Sequence, residues 1–162
     1  MATLYRGLPI NYEPKTTNRF FVNFPNELNL QQFQVQSFKA PSYEVEHDTV
    51  GFFNGYDYTA TKFKWNPIDI SFVDIIGPST SGTIMEWVRL SMESLTGRMG
   101  YAIGYKKDIE LLVCDPTGLP ISSWICTECM IIDGEFGEHS YDEGEVLRPK
   151  MTIQPKYCEM QY

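Results

Sequence analysis

Along most of this chain hydrophobic and polar residues alternate with period two, which predicts a mainly β protein. RFFVNF, residues 19–24, is a short aromatic and β-branched run after the turn-rich NYEPKTTN. In QFQVQSFK, residues 32–39, Phe33 and Val35 are expected to face one way and Gln32, Gln34 and Gln36 the other. After Ala40 and Pro41 the pattern resumes in YEVEHDTV, where Glu44, Glu46 and Asp48 share one face and Val45 and His47 the opposite one. VGFFNGYDYTATKF, residues 50–63, crowds Phe52, Phe53, Tyr56, Tyr58 and Phe63 around Gly51, Asn54 and Gly55, a punctuation that reads as a loop. Strand character returns in YTATKFKW and in IDISFVDI, with Ile68, Ile70 and Phe72 on one side.

One helix interrupts the strands. In GPSTSGTIMEWVRLSMESLTG, Thr83 and Glu86 match a capping box, Ile84, Trp87, Val88, Ser91 and Leu95 form an apolar stripe, and Gly97 supplies a stop, which predicts a helix over 83–96. Met85 and Met92, beside that stripe, are expected to pack against the β core. DIELLVCDPTGLP then reads as a strand and a turn at Asp115–Gly118. ISSWICTECMIIDGEFGEH is a long strand expected to bend at Gly134. VLRPKMTIQPKYCEMQ sets Leu147, Met151, Ile153 and Tyr157 against Arg148, Lys150, Thr152, Gln154 and Lys156, with Pro149 and Pro155 demanding an edge or a bulge. No linker or repeat divides the chain, so residues 1–162 are expected to form a single domain.

Charge narrows the function. The 13 basic and 21 acidic residues give a formal charge of −8, and no basic run exceeds Lys106–Lys107, so tight binding of nucleic acid is disfavoured. The segment MATLYRGLPINYEPK lacks a signal-peptide pattern and no run is long enough for a membrane span, which predicts a chain made in a reducing cytoplasm. The four cysteines, Cys114, Cys126, Cys129 and Cys158, are then read as free buried thiols. Cys126 and Cys129, three apart in a strand, point to opposite faces and could not share a metal ion without a bulge between them.

Catalytic vocabulary is sparse. His47 and His139 both lie among acidic residues, as surface imidazoles do. No phosphate-cradling glycine loop, nucleophile elbow or His-Glu-x-x-His occurs. The acidic stretch 133–145 lacks calcium-loop spacing and reads as a solvated hairpin. No catalytic, cofactor-binding or metal site is expected, and no enzyme.

Taken in order, FQVQSFKAPSYEVEHDTVGFFNGYDYTATKFKWNPIDISFVD, the Ile-x-x-Trp helix, the Asp-Pro-Thr-Gly turn, WICTECMIIDGEFGE, the acidic loop and the closing strand resemble the tail tube proteins of contractile-tailed bacteriophages, over roughly residues 15–160. The resemblance implies a β-sandwich or barrel with one flanking helix. Six subunits would close into a ring with a shared β-barrel, and rings would stack into a tube within the virion. It implies tail sheath, baseplate and terminator proteins as partners, with viral DNA passing through the lumen unbound, and no cofactor or membrane. Glu44, Glu46 and Asp48, with Gln34 and Gln36 beside them, would line that lumen, and Arg148, Lys150 and Lys156 would pair with the acidic row or lie outside the pore. Gly51, Phe52, Phe53, Asn54, Gly55, Tyr56 and Tyr58 would form an arm buried between subunits. Within the same architecture stand a tube-initiating baseplate ring and the inner tube of a bacterial contractile injection system. From another class stands a solitary β-barrel holding a flavin or other small ligand.

Overall fold

The computed structural model describes residues 12–162; the N-terminal residues 1–11, most of the segment read above for a signal, lie outside the described residues. Nine strands follow one another: β1 (Phe20–Asn23), β2 (Val35–Phe38), β3 (Tyr43–Phe52), β4 (Gly55–Trp65), β5 (Ile68–Phe72), β6 (Lys107–Cys114), β7 (Pro120–Glu135), β8 (Lys150–Gln154) and β9 (Tyr157–Gln161). Helix α1 (Thr80–Ser91) and the single turn α2 (Ala102–Tyr105) lie between β5 and β6.

The long strand β7 builds two sheets. Its first part pairs antiparallel with β6, which carries β1, and with β9 on the other side. Its second part pairs with β8, which continues through β5 to β2. The change of partner occurs at Glu128, whose φ of 50° lies in the left-handed region that side chains avoid. Three groups hold it there. The Glu128 N–H donates to the Asp108 carboxylate at 2.8 Å, and its own carboxylate receives Lys156 Nζ at 3.0 Å and Lys106 Nζ at 3.5 Å. The Lys156 hydrogen bond, joined by the charges of both lysines, holds that carboxyl below its ordinary pKa. Opposite the kink, Pro155 has no N–H to offer and sits in the break between β8 and β9. What reads in the sequence as one closing strand is therefore two strands in two sheets. Gly134, where the bend was expected, stays in the ladder opposite Met151.

The same kink sets the cysteines. It interrupts the alternation, so Cys126 and Cys129 both turn inward with no exposure. All four thiols are free and buried, as expected. Cys126 lies directly across from Cys158 with 3.4 Å between the sulfurs. Hydrogen bonding with Cys129 and burial push the Cys126 thiol up to about 12, and its contact with Cys126 raises Cys158 as well, so neither is a thiolate near neutrality.

Both sheets feed one core. Ile68, Ile70 and Phe72 from β5 meet Met151 and Ile153 from β8, Ile109 and Leu111 from β6, and Ile84 and Trp87 from α1. Each such side chain contributes about 1.5–3 kcal/mol by leaving water. The helix starts one turn earlier than the capping-box reading: Ser79 Oγ accepts from Gly82 N at 3.3 Å, and the Asp74 carboxylate takes Thr80 N at 2.9 Å. It ends at Ser91, so Leu95 and Met92 project into solvent instead of packing, and Gly97 takes its positive φ in a later turn.

Gln34 departs furthest from its expected place. Residues Gln32–Gln34 form one turn of 3-10 helix ahead of β2, which exposes Phe33 and buries Gln34 completely. The Gln34 amide satisfies three elements at once, donating to Thr80 Oγ1 at 3.0 Å and to the Pro78 carbonyl while its oxygen accepts from Gln31 N at 2.8 Å. It cannot face a lumen. Replacing Gln34 with Ala strands buried polar partners and should cost about 1–3 kcal/mol; thermal or urea unfolding checks this, and an unchanged midpoint would show the amide to be dispensable.

Candidate assembly surface

Strands β3 and β4 stand apart from both sheets and pair only with each other among the described residues. The stretch read as a loop is thus the distal half of a long antiparallel hairpin. Its ten-residue strand β3 reaches roughly 30 Å at about 3.3 Å per residue. The base is anchored: Trp65 packs against the core and meets Trp124 edge-on at 6.4 Å, its carbonyl accepts from Gln154 Nε2 at 2.9 Å, and Asn66 N reaches Ser42 O at 2.9 Å. Beyond that anchor every residue from Tyr43 to Lys64 is exposed.

Register sorts these side chains into two faces. On one lie Tyr43, Val45 and His47 with Phe63, Tyr58 and Tyr56. Tyr43 stacks on Phe63 with ring centroids 4.9 Å apart, and His47 meets Tyr58 edge-on at 5.6 Å. Gly51 leaves room for the Tyr56 ring, which an added Cβ would touch at 3.7 Å. The other face carries charge, with Glu44, Glu46 and Asp48 alternating along β3 as expected. Directly across from Glu44 is Lys64, and across from Glu46 is Lys62. Phe52 ends this face opposite Gly55, and the tip itself is the turn at Phe53 and Asn54, with Phe53 fully exposed.

The lysines alter the electrostatic reading. Its own hairpin, through Lys62 and Lys64, interleaves cations with the acidic row, where the sequence offers Arg148, Lys150 and Lys156 either as partners of that row or as residues outside the pore. Those residues are engaged or placed elsewhere: Lys156 clamps Glu128, and Lys150 lies in β8 beside Ser71 and Glu135. Gln36 is exposed at the bulge where β2 slips against β5. A second polar surface is the outer face of the β2–β5–β8–β7 sheet. There Ser37 hydrogen-bonds Ser71, Thr152 donates to Asp69 at 2.8 Å, and Asp133, Glu135 and Lys150 complete a shallow depression of about 350 Å³.

His47 and His139 are both exposed, and no group of three or more metal-ligating side chains gathers among the described residues. No described helix is long and apolar enough to cross a membrane. What the surface offers is apolar area and unpaired backbone. A two-stranded hairpin alone is marginal in water, and its outer edges present rows of free N–H and C=O groups.

Changing Lys62 and Lys64 together to Glu sets like charges directly opposite each other and should weaken the hairpin by about 0.2–1 kcal/mol per pair. Limited proteolysis within 43–65 should accelerate, and adding Glu44→Lys and Glu46→Lys should restore the original rate. Failure of the second exchange to restore it would show that register does not depend on these pairs.

No protein-family model matches the sequence, and no curated protein matches it. Solved structures do match in fold. A chain of the anti-feeding prophage (AFP) baseplate superposes with a TM-score of 0.71 at 15% identity, covering 93% of this chain and 97% of that one. A chain of the PVC sheath-tube complex, an extracellular contractile injection system in its extended state, gives 0.68 at 15% identity over 94% and 93%. Hcp1 from Flavobacterium johnsoniae gives 0.52 at 13% identity over 87% and 93%. The tail-tube resemblance read from the sequence thus holds at the level of fold: a mainly β chain with one flanking helix, shared with components of contractile injection assemblies.

Proposed function

We propose that this chain is the structural subunit of a contractile phage tail tube, closing into six-fold rings that stack into a channel for the viral genome. One observation carries the reading. A hairpin with aromatic residues on one face and both outer edges open is marginal in a solitary molecule, and the same hairpin becomes satisfied when copies place edge against edge around a ring. The neighbours in fold come from assemblies with tube, sheath and baseplate parts. Sheath, baseplate and terminator proteins are the corresponding partners here, within a virion.

The channel wall follows from polarity. Glu44, Glu46 and Asp48 with Lys62 and Lys64, Gln36 at the bulge, and the polar outer face of the β2–β5–β8–β7 sheet are surfaces that tolerate water and hold no basic run. A duplex moving past them meets carboxylates, hydroxyls and paired lysines, so it slides without the phosphate contacts that would hold it. The arm of Gly51, Phe52, Phe53, Asn54, Gly55, Tyr56 and Tyr58 lies between subunits.

A second reading keeps the architecture and changes the machine. The matched structures from AFP and PVC favour the inner tube or tube-initiating ring of a bacterial contractile injection system. The genes flanking this one separate the two, since capsid and packaging genes accompany only the virion.

Negative-stain microscopy of concentrated protein should show rings about one subunit thick or stacked tubes. Replacing Phe52 and Phe53 together by Asp should leave the circular dichroism spectrum unchanged and abolish those particles. A monomer at every concentration would overturn the reading, and normal tubes from the double variant would remove the arm from the contact.

A further inference from the structure

An open groove of about 830 Å³ runs beside β1. Phe20 and Phe21 both line it, and consecutive residues of a strand point to opposite faces, so the groove follows the strand's edge and not one of its faces. That edge is free: among the described residues β1 pairs only with β6. Phe24, which packs on Phe72 at 6.1 Å, also lines the groove and ties it to the core. Phe33 stands over it, 71% exposed, because the 3-10 turn that buries Gln34 turns its neighbour outward. The polar lining is made of amides, Asn29 and Gln31 among them, and no ionisable side chain takes part. In a chain that is 21% charged, this is an uncharged slot of aromatic rings and amides beside an open strand edge.

The hairpin tip has the matching properties. TVGFFNGY, residues 49–56, carries no charge, and it presents two phenylalanines and an asparagine amide on a strand pair whose outer edges are also open. Glycines at 51 and 55 keep the backbone accessible. Phe53 is fully exposed, so the tip does not enter the groove of its own chain.

We propose that the groove beside β1 receives the hairpin tip of a second copy of this chain. This rests on the tube-subunit reading and adds the receptor site to it. Phe52 and Phe53 fill the space among Phe20, Phe21, Phe24 and Phe33, Asn54 exchanges hydrogen bonds with the groove amides, and an edge of the hairpin adds to β1 as an extra strand. Because tip and groove are different surfaces, a copy can give its tip to one neighbour and receive a tip from another. Repeated in one direction, the contact completes a ring or propagates from one ring to the next, whereas a reciprocal exchange between two copies would stop at a dimer.

Two singly substituted chains, Phe53→Cys and Phe33→Cys, test this when mixed, one carrying a mass tag, and oxidised with diamide. Both positions are exposed and the native thiols are buried, so folding and background are controlled. The proposal expects a tagged–untagged disulfide dimer at least tenfold more abundant than in a mixture of Phe53→Cys with Leu95→Cys, a position elsewhere that is still more exposed than Phe33. Rings or tubes visible by microscopy without that enrichment overturn the groove assignment and leave the tube reading intact; this is also the result if the chain's own residues fill the groove. A chain that never assembles overturns both.

Discussion

A β-hairpin that cannot satisfy itself governs this molecule. The outer edges of β3 and β4 are open to pairing with further strands, and the hydrophobic effect favours cover for Tyr43, Phe63, Tyr58, Tyr56 and the two phenylalanines at the tip. The sandwich supplies neither, because its own core is closed by Trp87, Phe72 and the isoleucines of β5 and β8. It holds the hairpin only at the base, through Trp65 and Asn66. Stability of the domain and completion of the hairpin are therefore separate problems, the first solved within the chain and the second assigned to neighbouring copies by the proposed tube-subunit role.

The kink at Glu128 serves that division. By letting one strand belong to two sheets, it sets β8 and β9 on different halves of β7 and leaves open strands at several margins: β1, β2 and β9. A carboxylate clamped by two lysines, with its N–H on Asp108, is the means by which a non-glycine residue is kept in a left-handed conformation. Burying Cys126 and Cys129 on the same side follows directly. Both effects depend on one residue that, in the sequence, looks like any other exposed glutamate.

Much of the fold was legible because burial is periodic. Ile68, Ile70 and Phe72 alternate in the sequence and all point inward, Ile84 and Trp87 mark the buried stripe of α1, and the Asp-Pro-Thr-Gly turn sits where its residues demand, with the Asp115 carboxylate accepting from Leu119 N and Thr117 Oγ1. Legibility failed where a long-range contact outweighs the local pattern. Gln34 is polar and sits in an alternating run, yet it is buried because Thr80 and Pro78, more than forty residues away, join Gln31 as partners that no local window contains together. The loop-like punctuation of 50–63 hid a hairpin because Gly55 and Asn54 mark a turn while the aromatic residues on either side are strand formers. The acidic row was visible, whereas its cationic complement was not: register, not composition, places Lys62 and Lys64 opposite Glu46 and Glu44.

Hydrogen–deuterium exchange of the amides in residues 43–65, followed across protein concentration, tests the incompleteness of the hairpin most directly. Fast exchange at the outward-facing amides in dilute protein, giving way to strong protection as particles form, is the expected result. Protection that is already complete in a dilute monomer would contradict it, because the hairpin would then have found its partners within its own chain.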